Sequence, residues 1–186
     1  MCKNILSLLF FTMASLTGVA QKKIFTKSGI ISFNSNTAIE KIEAKNKKVL
    51  VVIDVENNKI EFAVLIKGFE FEKALMQEHF NEDYLESNKY PKAVFKGSFD
   101  KPDKPITFTS NTSQIIKVTG NLTMHGVTKF IKCAATITAK NRVISASSEF
   151  TIVLSDYNIK IPAVVSNNIS KQIQVAITIP SLQEMK

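Results

Sequence analysis

The chain has 186 residues, 45% of them hydrophobic and 22% charged, which excludes a disordered protein and predicts one globular domain. Its formal net charge is +8, which would suit nucleic acid. Arg142 is the only arginine, however, and arginine is favoured for recognising phosphates and bases, so we expect no nucleic-acid partner. The lysines predict a soluble face that protects strand edges, with weak contact to a membrane surface as the alternative.

The first twenty residues have the pattern of a secretory signal peptide. Lys3 precedes an apolar run over residues 5–16, and small residues at 18–20 end that run. The run is shorter than the ~20 residues that a membrane-spanning helix needs. We expect cleavage near Ala20, a folded domain over residues 22–186, and a periplasmic or secreted protein.

Alternating apolar and polar residues predict strands from the start of this domain. Residues 29–33 form the first predicted strand. Residues 49–55 and 60–66 are two further apolar runs, and the segment Glu-Asn-Asn-Lys at 56–59 lies between them. Such polar turn residues between two strand patterns predict a hairpin.

The segment from Phe69 to Ser87 breaks the alternation. Its apolar residues recur at steps of three and four, as on one face of a helix. They are Phe69, Phe71, Leu75, Met76, Phe80, Tyr84 and Leu85. We therefore predict a short helical segment near residues 71–87, in one or two pieces, which Pro91 separates from the next strand.

Alternation returns after Pro91 and continues to the end of the chain. His125-Gly126 and Lys140-Asn141 are the predicted turns of two more hairpins. The predicted strands cover about residues 93–99, 116–123, 130–139, 144–154 and 172–179. The total of roughly eight strands predicts a mainly all-β fold, either a sandwich or a barrel.

Small residues interrupt the apolar faces of several predicted strands: Gly97, Cys133, Ala135, Ala146 and Ser148. Small inward side chains leave volume unfilled, and an eight-stranded barrel can enclose one small ligand. Alternatively, the same residues make room for bulky neighbours. Alternation alone leaves both interpretations open.

The sequence contains little that could support catalysis. Its two histidines, His79 and His125, are far apart, and a catalytic zinc site needs three protein ligands. No nucleophile elbow or phosphate-binding glycine loop occurs. Cys133 lies in a strand pattern that predicts a buried small side chain rather than a reactive thiol. We therefore predict no enzyme, no catalytic residue and no metal site.

Three segments resemble motifs of the YceI-like family, which binds lipids and polyisoprenoids in the periplasm. The first is Leu-Thr-Met-His-Gly-Val-Thr-Lys at 122–129. The second covers 79–97, and the third is Ser-Asp-Tyr-Asn-Ile-Lys-Ile-Pro at 155–162. The resemblance implies an extended eight-stranded antiparallel lipocalin-like β-barrel with a helix near one end.

The resemblance further implies a non-enzymatic carrier that encloses an amphiphilic lipid with a long apolar chain in the cell envelope. An isoprenoid quinone, a polyprenyl lipid or a fatty-acid-like molecule would fit, with no required cofactor. The oligomeric state, including a homodimer, stays open. The predicted lining residues are Phe62, Val64, Ile66, Phe69, Met76, Phe80, Phe95, Phe99, Val118, Leu122, Ile137, Phe150, Ile152 and Ile177.

Two other hypotheses remain open at this point. One is a closed-core envelope protein that has a basic surface, a filled interior and no lipid ligand. The other is a hydrolase or isomerase that works at the barrel mouth and depends on His79 or His125.

Overall fold

The computed structural model describes residues 23–185, so the predicted signal peptide lies outside the described residues. Strand is the dominant structure, at 59% of the described residues. The strands are β1 Lys23–Asn36, β2 Lys41–Asp54, β3 Lys59–Leu65, β4 Glu70–Phe71, β5 Lys92–Phe99, β6 Thr112–Met124, β7 Val127–Lys140, β8 Val143–Val153 and β9 Gln172–Glu184.

Eight of these strands close into an antiparallel barrel. The order around the sheet is β1-β9-β8-β7-β6-β5-β3-β2, and β2 pairs with β1 to close the ring. The two-residue β4 pairs with β2 on the edge that β3 uses farther along, through the pairs Ala44–Phe71 and Lys45–Glu70. The predicted fold class is confirmed, and of the two all-β architectures the chain adopts the barrel.

Two hairpin turns follow from backbone angles that few residues adopt. At the β6–β7 turn, His125 has φ of 50° and Gly126 has φ of 74°. At the β7–β8 turn, Asn141 and Arg142 have φ of 52° and 62°. Positive φ at both central residues is the type I′ turn, whose twist matches that of the flanking strands. The predicted hairpins are present, with the second turn one residue later than predicted.

The helical segment is shorter than the apolar pattern predicted. Helix α1 covers Ala74–His79, and a π-helical turn follows at Phe80–Tyr84. Phe69 and Phe71 instead have extended backbone or lie in β4. Both rings pack with Phe33 and Phe80 in one aromatic cluster, with ring centroids 5.0 to 5.8 Å apart. Phe69 and Phe71 are therefore apolar because of this cluster, although their spacing in the sequence resembles one face of a helix.

The inward faces of the strands carry the buried core. Val49 and Val51 on β2 have no exposed surface, and Ile144 on β8 is nearly as buried. Among residues 23–185, no helix is long and apolar enough to cross a membrane.

Candidate functional site: an apolar cavity in the barrel

The barrel interior contains a cavity of about 540 Å³. Its wall consists almost entirely of apolar side chains from all eight barrel strands and from the helical segment. Ligand sites of small molecules usually fall between about 300 and 1,000 Å³ and are mainly apolar. The barrel is therefore hollow, which contradicts the filled interior that the closed-core hypothesis requires.

All fourteen predicted lining residues lie on the wall of this cavity. Their contact with a lipid stays a prediction. Much of the wall on β1 and β9 was not predicted, including Ile31, Phe33, Val175 and Ile179. The same alternation marks these residues, so the inward face of β1 and β9 could have been found from it.

The small inward residues have two different roles. Cys133, Ala135, Ala146 and Ser148 line the cavity and leave it open. Gly97 instead lies under the ring of Phe95, where an added Cβ atom would stand 2.6 Å from Cζ of that ring. Gly97 therefore makes room for a bulky neighbour, which was the alternative interpretation of these positions.

Three polar side chains meet at one end of the cavity, and we call them the latch: Glu40, Lys73 and Asn168. Nζ of Lys73 donates to Oε1 of Glu40 at 3.2 Å, and Nδ2 of Asn168 donates to Oε2 at 3.2 Å. These hydrogen bonds lower the pKa of the Glu40 carboxyl. All three residues line the cavity, so the latch ties the β1–β2 turn, the start of α1 and the segment before β9 together over that end.

A family model described as the YceI-like domain matches residues 20–180. The chain belongs to the YceI-like family. A comparison with curated proteins finds no match.

Solved structures share the fold of this YceI-like protein at low sequence identity. A polyisoprenoid-binding domain from Saccharophagus degradans has a TM-score of 0.73 at 13% identity, covering 89% of this chain and 99% of its own. BcnA from Burkholderia cenocepacia has 0.66 at 16%, covering 83% and 96%. The YceI protein of Campylobacter jejuni has 0.53 at 20%, covering 100% and 99%. Likeness at these identities shows the fold.

The three motifs that resemble the YceI-like family meet at His125. Its Nδ1 donates to the carbonyl oxygen of Tyr157 at 2.9 Å, and its Nε2 lies 2.8 Å from Oε2 of Glu86, within hydrogen-bond distance. The ring of Tyr90 packs edge-on against it at 4.7 Å. His125 is absent from the cavity wall, so the motifs mark a structural junction beside the cavity.

The other histidine gives no catalytic arrangement. His79 is exposed at the cavity end and contacts Asp83, with 2.7 Å between Nδ1 and Oδ2. Within residues 23–185, no group of three His, Cys, Asp or Glu side chains could hold a metal ion. The chemistry that the cavity offers is burial of an apolar molecule.

Proposed function

We propose that this protein is a non-enzymatic carrier that holds an amphiphilic lipid by its long apolar chain inside the barrel. The observation that carries the proposal is the apolar cavity of about 540 Å³. Moving a chain from water into such a cavity contributes about 0.8 kcal/mol per CH₂ group. A long chain can therefore bind tightly with few polar contacts.

An isoprenoid chain, as in a quinone or polyprenyl lipid, is the ligand class that we favour. A solved structure with this fold is a polyisoprenoid-binding domain, and this supports the choice. The branched wall residues, such as Ile137, Ile152 and Ile177, give an irregular apolar surface against which methyl branches can pack. A fatty-acid-like chain is the other candidate within the same proposal.

The proposed location is the periplasm or the exterior of the cell. The support is the signal-peptide pattern over residues 1–20. Fractionation of the native cells, followed by N-terminal sequencing of the protein, tests this location. A cytoplasmic protein with an intact N-terminus would overturn it.

The decisive experiment identifies what the native protein carries. We would purify it from its own cells without detergent, extract it with organic solvent and analyse the extract by mass spectrometry. We expect an isoprenoid or acyl lipid in a fixed ratio to the protein. If no such lipid is found and added quinones and polyprenols do not bind, the carrier function is wrong.

A pair of adjacent alanines tests whether the cavity is the binding site. Ala135→Phe places a ring in the cavity wall, whereas Ala134→Phe adds the same ring to the exposed outer face. We expect Ala135→Phe to weaken binding of a polyprenol at least about tenfold, because the ring displaces several buried carbons of the ligand. Ala134→Phe should bind as the unaltered protein does. Equal affinities for the two variants would place the ligand elsewhere.

A further inference from the structure

The barrel wall is incomplete between β7 and β8. The two strands pair only from Ala135 with Ser148 to Lys140 with Val143, among the described residues. Beyond this ladder, Val127–Ala134 pairs with β6 alone, and Glu149–Val153 pairs with β9 alone. We call the space between these two unpaired stretches the slot.

Side-chain exposure rises along the β7–β8 ladder toward the slot. The inward residues Ile137, Ala139 and Ile144 are buried, whereas Ala135, Ala146 and Ser148, in the part of the ladder next to the slot, are partly buried. The inward residues along the slot, Ile131 and Cys133 of β7 and Phe150 and Ile152 of β8, are likewise partly buried and line the cavity. The cavity wall is thus more exposed at and next to the slot than at the other end of the ladder.

Two other strands also extend beyond a neighbour, but added segments cover them. The first half of β2 is covered by β4, which pairs with Ala44 and Lys45. The start of β6 is covered by the loop after β5. There Lys104 and Gln114 exchange two hydrogen bonds, and Phe108 packs on the core. Among the described residues, no added strand pairs along the slot. Where the slot begins, the hydroxyl of Ser148 donates to the carbonyl oxygen of Ala134 at 2.7 Å. At its far end the 3-10 turn Leu154–Tyr157 contacts β7, and the carbonyl of Tyr157 accepts the hydrogen bond from His125.

The outer face beside the slot is basic. The structure describes every residue of β5, β6 and β7, and these strands contain no Asp or Glu. Their exposed, outward-facing lysines are Lys92, Lys96, Lys117, Lys132 and Lys140. Lys129 is also exposed, but it pairs with the inward Leu122 and so lies on the other side of β7. We call the outer surface of these three strands the basic face.

The acidic residues nearest to the basic face lie at its borders. Glu61 on β3 pairs with Lys96 at 3.7 Å. Asp100 and Asp103 of the β5–β6 loop line a surface pocket together with Lys117 and Lys132, and Lys101 and Lys104 of the same loop balance them. Glu149 lies across the slot on β8. The lysines therefore outnumber the acidic residues on and around the face.

Two large apolar side chains stand out from the basic face. Phe130 is 61% exposed and Ile115 is 76% exposed. Nζ of Lys132 lies 5.8 Å from the centre of the Phe130 ring. Lysines together with exposed aromatic and aliphatic groups are the combination that binds the interface of an anionic bilayer.

We propose that the basic face docks on an anionic phospholipid bilayer, so that the lipid passes between the bilayer and the cavity through the slot. This inference rests on the proposed carrier function and adds its donor surface and its route. A bilayer explains both the apolar side chains and the slot at the border of the same face. An acidic protein would use the lysines but would leave the slot without a role.

Vesicle flotation tests the docking with two charge-matched variants. The face variant carries Lys117→Glu, Lys132→Glu and Lys140→Glu. The control carries the same change at Lys45, Lys47 and Lys48, which are exposed on β2. On vesicles of phosphatidylglycerol and phosphatidylethanolamine, we expect the face variant to bind at least about tenfold more weakly than the control. Vesicles of phosphatidylcholine should bind all three proteins weakly.

Several outcomes would overturn the docking. Equal losses in the two variants would indicate attraction by net charge alone. Absence of binding to anionic vesicles, together with binding of soluble polyglutamate through the same lysines, would indicate an acidic macromolecule instead. Polyprenol binding in solution is measured in parallel. If that binding fails, the carrier function is wrong; if it persists without vesicle binding, only the docking is wrong.

A cross-link across the slot tests the route. With Cys2 and Cys133 changed to Ser, Lys132→Cys and Thr151→Cys place two exposed thiols on opposite sides of the slot. A flexible, cleavable bis-maleimide then joins β7 to β8. We expect transfer of a fluorescent polyprenol from vesicles to slow at least about tenfold, and to recover when the linker is cleaved.

The matched control is the same linker between Lys96→Cys and Asn121→Cys, which are paired on β5 and β6. Because these strands are already joined by a ladder, this cross-link should leave the transfer rate unchanged. Unchanged transfer with the slot linker in place would show that the lipid passes through an end of the barrel, and the proposed route would be wrong.

Discussion

His125 is a single turn residue in one of the three segments that resemble the motifs of the family, and it contacts the other two. The two atoms that face its ring nitrogens are the carbonyl oxygen of Tyr157 and a carboxylate oxygen of Glu86. Through these two hydrogen bonds the ring joins the β6–β7 turn to the segments around Glu86 and Tyr157. Its side chain is 10% exposed, so water replaces these bonds poorly when they are lost.

Replacing this ring should destabilise the fold without affecting lipid binding. His125→Ala should lower the free energy of unfolding by about 2 kcal/mol, since it removes two hydrogen bonds, one of them to a charged group. Urea unfolding followed by circular dichroism measures this change. Polyprenol affinity, measured where the variant is folded, should be unaltered because His125 is absent from the cavity wall.

The second histidine provides the control. His79 is 52% exposed on its side chain and contacts Asp83 one helical turn away. His79→Ala should change the free energy of unfolding by less than about 0.5 kcal/mol. A His125→Ala protein of unaltered stability that no longer binds lipid would contradict the structural role.

Residue type alone could not show whether a small inward residue borders the cavity or makes room for a neighbouring ring. Ala135 and Gly97 both appear in the sequence as gaps in an apolar face, yet one borders the cavity and the other lies beneath Phe95. The difference depends on the direction of a neighbouring ring, which the alternation of the strand does not specify. Gly126 was predictable, because a two-residue hairpin turn requires positive φ there.

At the scale of elements, the latch holds three chain segments with one carboxylate. Hydrogen bonds from Lys73 and Asn168 lower the pKa of Glu40 below its usual value of 4.5. A lowered pKa means that the folded state favours the charged form. The stabilisation is therefore fully present above pH 4.5 and is lost as the pH falls through the pKa of the folded state.

Acid should therefore loosen the end of the barrel that the latch covers. We expect amide hydrogen exchange over residues 163–169, corrected for the intrinsic effect of pH, to accelerate as the pH falls below 4.5. Glu40→Gln should show the faster exchange already at neutral pH. Mass spectrometry of peptic fragments measures both effects.

Glu43 offers a control with the same change of charge. It lies nearby on β2 and pairs with the exposed Lys41, at 3.1 Å. Glu43→Gln should leave the exchange of residues 163–169 unchanged, because an exposed pair contributes little. Similar acceleration in both variants would indicate a general effect of charge and would argue against the latch.

The elements differ in how far local sequence determines them. The hairpins were predictable because their turn chemistry lies within a few residues, as at Asn141 and His125. The helix was overestimated because Phe69 and Phe71 pack in an aromatic cluster that includes Phe33, a residue far away in the chain. The slot was not predictable, since the extent of β7–β8 pairing depends on register around the entire barrel.

At the scale of the whole molecule, alternation identifies which face of a strand is apolar but gives no distance across the barrel. A filled and a hollow barrel therefore share one pattern. The separation of the walls depends on how eight strands tilt and pair, and the side chains then fill the interior or leave it open. Here they leave about 540 Å³, and that volume limits how many carbon atoms of the ligand can be buried.

The cavity volume predicts how binding depends on chain length. An apolar protein cavity of about 150 Å³ holds a benzene ring, so at that ratio 540 Å³ accommodates roughly twenty carbon atoms. In a series from geraniol through farnesol and geranylgeraniol to longer polyprenols, each added carbon should contribute up to about 0.8 kcal/mol until the cavity is full. Further carbons remain in water and should contribute almost nothing.

Isothermal titration calorimetry of the series measures the chain length at which the affinity stops rising, and Ala135→Phe should shift this plateau to a shorter chain. An affinity that does not depend on chain length would show that the ligand is held by its head group instead.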